Sequence, residues 1–288
     1  MQILNREISD QGRVRFDDVS FAYPAQRDTN PKFVFTHFNL DIPAGSCVLF
    51  CGPSGSGKST ALKMFNGLIP QLQPGHIAGK IMVSGVNLNT VKLVDMGRLS
   101  ATVFQNPRTQ FFTGNVLAEL AYAGENYQVP VSELKQRCMK AAKDIGIAHL
   151  LERNLCTLSG GQLQAVAQAS ALAAHVPVLL FDEPTSNLSP SAIVNFTRHL
   201  QEQKERGKTI VIAEHRLYFL RNLVDQVVYF HSGETPEIID GKKFFQLDDS
   251  ARRNIGIRTL HEPECSEVPV MTINQDPRRS GTSAASRK

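Results

Sequence analysis

The run Gly52-Pro53-Ser54-Gly55-Ser56-Gly57-Lys58-Ser59-Thr60 places flexible backbone, one ammonium and two adjacent hydroxyls side by side. It matches G-x-x-x-x-G-K-[ST], the loop that encloses the phosphates of a nucleoside triphosphate. Glycine lets the chain turn tightly and bring successive N–H groups onto the β-phosphate, where a Cβ would obstruct the approach. Lys58 is suited to stand between the β- and γ-phosphates, and the Ser59 hydroxyl to ligate Mg²⁺. The context agrees. Residues 46–51 read as a buried strand, and 58–66 as a helix whose positive end faces the phosphates. A chance match in a Gly/Ser-rich linker would lack both.

Two further segments carry chemistry. Val178-Leu179-Leu180-Phe181-Asp182-Glu183 is an apolar strand ending in two carboxylates. Standing alone, such an ending is a strand running into a polar turn. Downstream of a phosphate loop, the first carboxylate holds the Mg²⁺ shell and the second can accept a proton from attacking water. Leu158-Ser159-Gly160-Gly161-Gln162 opens a helix with an N-cap serine and two glycines, a second helix N-terminus with exposed N–H groups. By itself it is equally an ordinary capped turn.

Taken in this order, the phosphate loop, the L-S-G-G-Q pentapeptide and the strand ending in Asp-Glu resemble the nucleotide-binding subunit of an ATP-binding cassette (ABC) transporter. The likeness extends from about residue 14 to residue 233. It implies roles for residues that spacing alone would leave unassigned. Tyr23 matches the aromatic that stacks on adenine. Gln105 matches the glutamine that touches Mg²⁺ and relays nucleotide state to the membrane partner. His215 matches the switch histidine near the γ-phosphate. Ser159, Gly160, Gly161 and Gln162 match the signature that closes over the ATP of a second subunit. The nucleotide contacts implied are therefore Tyr23, Gly52, Ser54, Gly55, Ser56, Gly57, Lys58, Ser59, Thr60, Gln105 and the signature; Glu183, His215 and Lys58 would be catalytic, and Ser59, Gln105 and Asp182 would hold the metal.

Within that family three stretches look like the ATPase components of energy-coupling-factor (ECF) importers of vitamins and transition-metal ions. They are Phe21-Ala22-Tyr23-Pro24, the run from Val103 through Gln105-Asn106-Pro107 to Phe112, and Ala213-Glu214-His215-Arg216. Phe111 and Phe112 fit two placements: the core of a helical subdomain, or a groove that takes a coupling helix from a membrane protein. The groove is the expected one. Two departures from the family pattern stand out. Ser189 occupies the place of an aspartate that bridges the two nucleotide sites of a dimer, and Ala165 replaces a common arginine. Both suggest pairing with a more consensus subunit.

The elements that must position these residues follow from periodicity. An antiparallel sheet begins at 14–23, where Arg13-Val14-Arg15-Phe16 alternates, and would hold the adenine side. Residues 116–123, 132–145 and 161–174 have helical spacing. Strands at 178–181, 209–213 and 226–230 alternate with helices at 190–206 and 216–224, the pattern of a parallel sheet with crossovers. Together with the resemblance this implies an α/β fold class, a phosphate-loop NTPase of the ABC type with a parallel-sheet core, an antiparallel β subdomain and a helical signature subdomain. The nucleotide-binding domain spans 1–235, with the helical part at about 106–175. Residues 236–262 form a short extension, helical from 241 to 260, and 263–288 a disordered tail.

Composition bounds the function class. At 42% hydrophobic and 20% charged, the 288 residues can bury a sizeable core, and no apolar run is long enough to span a bilayer. The N-terminus lacks the build of a signal peptide. The five cysteines, Cys47, Cys51, Cys138, Cys156 and Cys265, show no C-x-x-C spacing and read as reduced thiols. A net charge of +4 is too small to argue for nucleic acid.

The resemblance implies an ATPase at the cytoplasmic face of the membrane, peripheral to it. Its partners would be a second ATPase subunit, the same or different, a transmembrane coupling subunit and a substrate-binding membrane subunit. One ATP, with Mg²⁺, would lie between the phosphate loop of one subunit and the signature of the other. Soluble ABC ATPases of DNA repair carry long coiled coils for which the stretch from Lys58 to Ser159 has no room. Translation-associated members usually carry two cassettes. A degenerate cassette would lack some of Lys58, Asp182, Glu183 and His215, all of which are present.

Overall fold

The computed structural model describes residues 11–24, 33–248 and 250–251. Strands β1 (Val14–Ala22) and β2 (Phe33–Ile42) pair antiparallel, Val14 opposite Ile42 and Phe16 opposite Leu40. Their inward residues, among them Phe16, Phe21, Phe35, Phe38 and Ile42, are fully buried. Strand β3 (Cys47–Cys51) is buried along its whole length and leads through the phosphate loop into helix α1 (Lys58–Phe65). Phe65 ends that helix against Phe16, ring centroids 4.6 Å apart, and against Phe50 of β3 at 6.1 Å. One helix thereby packs on both sheets.

After the single turn α2 (Leu68–Gln71), strand β4 (His76–Val83) lies on the other side of β1 and is followed by β5 (Val86–Asn87). The antiparallel sheet has the order β2-β1-β4-β5. The turn α3 (Leu93–Met96) leads to β6 (Ser100–Val103). Three helices then form the helical subdomain: α4 (Val116–Asn126), α5 (Val131–Ile145) and α6 (Gly160–Ala173). Their starts and stops are local. Asn115 caps α4 by accepting from the Leu117 and Ala118 amides, and Gly146 in the left-handed region ends α5. Leu134, Cys138, Ala141 and Ala142 bury one face of α5 against the third hydrophobic cluster of the molecule.

The chain returns as β7 (Val178–Asp182), helix α7 (Pro190–Glu205), β8 (Thr209–Ala213), β9 (Gln226–Tyr229), β10 (Glu237–Asp240) and the short helix α8 (Gly241–Phe245). The second sheet has the order β10-β9-β3-β8-β7-β6. β9, β3, β8, β7 and β6 run parallel, and β10 pairs antiparallel with β9. β3 and β8 show no polar alternation because both faces are covered. Parallel direction has one consequence for chemistry. The C-terminal ends of β3, β6, β7 and β8, and the loops that follow them, meet along a single edge.

The structure corrects three expectations. Residues 216–224 do not form a helix but a 3-10 turn at Tyr218–Leu220 followed by further tight turns. The buried Leu217, Leu220 and Leu223 recur every three residues, the repeat of a 3-10 helix, which short sequence windows do not separate from 3.6. The extension after residue 235 begins with a strand, β10, and the expected helix is interrupted: α8 ends at Phe245, and helix resumes at residues 250–251. Phe111 and Phe112 part company. Phe111 packs on two core clusters, while Phe112 is 74% exposed and stacked on Tyr122 at 5.0 Å. Residues 252–288, which include Cys265 and the tail read as disordered, lie outside the described residues. Cys47, Cys51, Cys138 and Cys156 are free thiols, and burial pushes Cys47 and Cys51 up to about 12.

Candidate functional site

The loop between β3 and α1 is shaped by close packing. A Cβ at Gly52 would run into the Phe230 carbonyl, and Gly52 and Gly57 both have φ in the left-handed half of the map, at 132° and 111°. Gly57 is the N-cap of α1 and has no side chain to cap with, which leaves the first helical N–H groups facing the loop. Lys58 is 5% exposed, and its ammonium donates to the Gly52 and Pro53 carbonyls at 2.9 and 2.8 Å. Burial pulls its pKa down, against the attraction of Glu183 and Asp182. The Ser56 hydroxyl is buried without a hydrogen-bond partner. Free amides, a desolvated ammonium and an orphaned hydroxyl in one turn fit a polyphosphate.

At the end of β7, Asp182 accepts from the Ser59 hydroxyl at 2.9 Å, and burial raises its pKa. These two hard oxygen donors suit Mg²⁺, which takes one or two protein oxygens and completes its octahedron with phosphate and water. No group of three or more His, Cys, Asp or Glu that could hold a metal by itself occurs among the described residues. Glu183 follows with φ of 47°, a left-handed conformation a non-glycine residue rarely adopts and that costs on the order of 1–3 kcal/mol. Its amide donates to the Ala213 carbonyl of β8 at 2.9 Å. Its carboxylate accepts from Gln105 Nε2 at 2.7 Å and lies 3.3 Å from His215 Nε2. Gln105 comes from the loop after β6, and His215 from the loop after β8. Three strand ends thus converge on one carboxylate.

Tyr23, just past β1, donates or accepts a 2.9 Å hydrogen bond with Thr60 Oγ1 of α1, and stands edge-on to the buried Phe21 at 4.9 Å. The ring is thereby fixed beside the phosphate loop and is 39% exposed. Ser159 to Gln162 lie elsewhere. Ser159 caps α6 by accepting from the Gln162 amide at 3.3 Å, and the Gln162 side chain accepts from the Ser159 amide at 2.9 Å. This capping box satisfies the segment internally, with Ser159 and Gly160 exposed. The structure therefore brings together Tyr23, the phosphate loop, Gln105, Asp182, Glu183 and His215, and leaves the pentapeptide apart on the helical subdomain. Ala165 packs on the helical core, and Ser189 caps α7 by accepting from the Ala192 amide.

Two buried carboxylates escaped sequence reasoning. Glu119, 4% exposed, accepts through one oxygen from the Phe112 amide, the Thr113 amide and the Thr113 hydroxyl. It fixes the backbone beneath the exposed Phe112 ring. Glu214, 3% exposed, gathers donors from the loops after β7 and β8. A charged residue directly after an all-apolar strand was the available signal for Glu214; Glu119 left none.

Known proteins resemble this chain in sequence and fold. A sequence profile of the family described as ABC transporter matches residues 35–186. A protein of Treponema denticola described as an ABC transporter ATP-binding protein is 34% identical over 260 residues, 90% of this chain and 52% of its own length. One of Streptomyces coelicolor with the same description is 37% identical over 227 residues, 78% of this chain and 40% of its own. The chain spans about half or less of the length of these curated relatives. Among solved structures, cbiO1 from Clostridium perfringens, part of the ABC transporter complex cbiONQ, superposes with a TM-score of 0.70 at 25% identity over 83% of this chain and 93% of its own. The ATP-binding cassette MJ0796, in a dimeric post-hydrolysis state with ADP and Pi, gives 0.69 at 25% identity over 79% and 98%. Profile, relatives and fold agree, and this chain belongs to the ABC transporter family as an ATP-binding domain.

Proposed function

We propose that this chain binds and hydrolyses ATP to power a membrane importer of the ECF type, one that takes up a vitamin or a transition-metal ion. The observation that carries the ATPase reading is the convergence on Glu183 of Gln105, His215 and the Asp182–Ser59 pair beside the phosphate loop. The ECF part rests on the three sequence stretches above and on the likeness to cbiO1.

In this reading the loop amides and Lys58 bind the phosphates, and Tyr23 offers its ring to the adenine. Ser59 and Asp182 would hold Mg²⁺, with Gln105 beside them; the ion supplies charge neutralisation at the β- and γ-phosphates. Glu183 takes the proton of the attacking water, and Gln105 and His215 orient it. Ser159 with the Gly160 and Gly161 amides stands exposed on a helix N-terminus, ready to complete the phosphate cage of a second subunit. ATP held between two subunits favours the closed pair over the open one, the differential affinity that a conformational change requires. Phe112 and Tyr122, both exposed and stacked on each other, form an apolar patch after the Gln105 loop that suits a helix of a transmembrane partner. No helix among the described residues is long and apolar enough to cross a membrane. In this reading other subunits carry the translocation path, and this chain docks on them at the cytoplasmic face.

The test is isolation of the chain from its native membrane followed by reconstitution. The expected result is co-purification with a transmembrane subunit and a small solute-binding membrane protein, and ATP-dependent uptake that Lys58→Ala abolishes. Isolation without any membrane subunit, or uptake that survives Lys58→Ala, would contradict the reading.

A further inference from the structure

We propose that Glu214 is a positioning residue of this site: its buried carboxylate ties the loop after β7 to the loop after β8, and so holds Glu183 and His215 at a working separation. The proposal rests on the reading of Glu183 and His215 as the hydrolytic pair.

Every polar contact of Glu214 points to this task. Oε1 accepts from the Thr185 amide at 3.2 Å and from the Thr185 hydroxyl. Oε2 accepts from the His215 amide at 2.6 Å and from the Arg216 amide at 3.2 Å. Arg216 Nη1 donates back to the Thr185 carbonyl at 3.4 Å, which closes a ring of contacts between the two loops. The Glu214 amide donates to the Phe50 carbonyl of β3 at 3.1 Å, so the ring is anchored on the strand that leads to the phosphate loop. Thr185 is fully buried and stands two residues beyond Glu183; His215 is the next residue after Glu214. Between the loops run the Glu183 amide to Ala213 carbonyl bond at 2.9 Å and the 3.3 Å approach of His215 to Glu183.

Four donors on one buried carboxylate satisfy it fully, which a solvated residue at the end of a strand would not need. A merely stabilising carboxylate would also be satisfied. What singles out Glu214 is that its donors come equally from the two loops: the Thr185 amide and hydroxyl, two residues beyond the base, and the amides of His215 and Arg216. Glu183 sits in the left-handed region, and the Thr185 clamp is one of the constraints that keep it there. Loosening the clamp lets the base drift, and a shift of about 1 Å at a reacting group can cost on the order of 100-fold in rate.

The experiment measures kcat and KM for ATP in the full chain, with bound nucleotide counted so that kcat is expressed per folded site. Glu214→Gln keeps the shape but turns one acceptor into a donor, leaving Thr185 or the His215 and Arg216 amides unpaired. Thr185→Val removes a single donor, and Thr185→Ser keeps it. The expected result is a kcat lowered on the order of 10- to 100-fold in Glu214→Gln and Thr185→Val with KM nearly unchanged, and near wild-type kcat in Thr185→Ser. A structural role alone would lower melting temperature and the count of folded sites but leave kcat per site intact, and that result overturns the proposal. Should Glu214→Gln not fold, the Thr185→Val and Thr185→Ser pair decides by the same criterion. Wild type and Glu183→Gln run alongside separate the two claims. Turnover in the wild type that is lost in Glu183→Gln upholds the hydrolytic reading whatever Glu214 does. Absence of turnover in the wild type removes that reading, and the positioning role with it.

Discussion

At the residue scale, the groups proposed to hold phosphate and metal were legible because that chemistry demands particular types at fixed spacing. Lys58 and Ser59 open helix α1 just past β3, and Asp182 and Glu183 stand at the end of β7, where Ser59 meets Asp182. Tyr23 offers more than the stacking surface proposed for adenine. Flat π contact alone would make Tyr23→Phe silent, but the hydroxyl is bonded to Thr60 on α1. Its loss should cost about 1 kcal/mol of ring positioning, a few-fold in ATP affinity, with a larger loss for Tyr23→Ala. Nucleotide titration of the three proteins checks this, and equal affinities would remove Tyr23 from the site. Glu119 was illegible for the opposite reason, and Glu214, though marked by its place after an apolar run, had a partner that no spacing reveals. A buried carboxylate acts through whatever loops fold around it, and no local pattern names Thr185 as the partner of a residue so far along the chain.

Among the elements, the strands β3, β7 and β8 could be read directly from their continuous apolar runs, which suit strands covered on both faces. β10 could not, because an antiparallel edge strand of four residues, mostly exposed, has too little apolar signal to rise above its loops. The join between the helical subdomain and the core is also a tertiary fact. Asp144 of α5 accepts from Arg206, just past α7, at 2.7 Å and from Lys140 at 3.0 Å. Partial burial alone would raise Asp144, but these two cations outweigh it and hold its pKa below the ordinary carboxylate value. A lowered folded-state pKa stabilises the fold above the unfolded value near 4 and loses that contribution as pH falls through the folded one. Asp144→Asn should therefore lower stability by about 1 kcal/mol at neutral pH. The difference from wild type should shrink steadily as the medium is acidified below about pH 4. Denaturant unfolding across pH checks this, and a difference independent of pH would show that packing, not charge, joins the two parts.

For the whole molecule, the proposed pairing with a second ATPase subunit turns on Ser189. Ser189 caps α7 through its hydroxyl and bonds Ser191 at 3.1 Å, and aspartate caps a helix equally well. Ser189→Asp should accordingly fold normally while restoring the carboxylate that the family pattern places there. If this chain works best beside a consensus partner, Ser189→Asp should raise the ATPase rate and uptake of the chain acting as sole ATPase. Full coupled uptake by the unaltered chain, indifferent to the substitution, would make the serine a tolerated variant. The central claim, that the edge of the parallel sheet is an ATP-hydrolysing site with Glu183 as its base, is tested most directly by steady-state ATP turnover of the chain and of Glu183→Gln, with equilibrium ATP binding measured beside it. The account predicts ATP affinity within a few-fold of wild type and turnover slower by about 10²–10⁴-fold. Turnover within a few-fold of wild type in Glu183→Gln would contradict it.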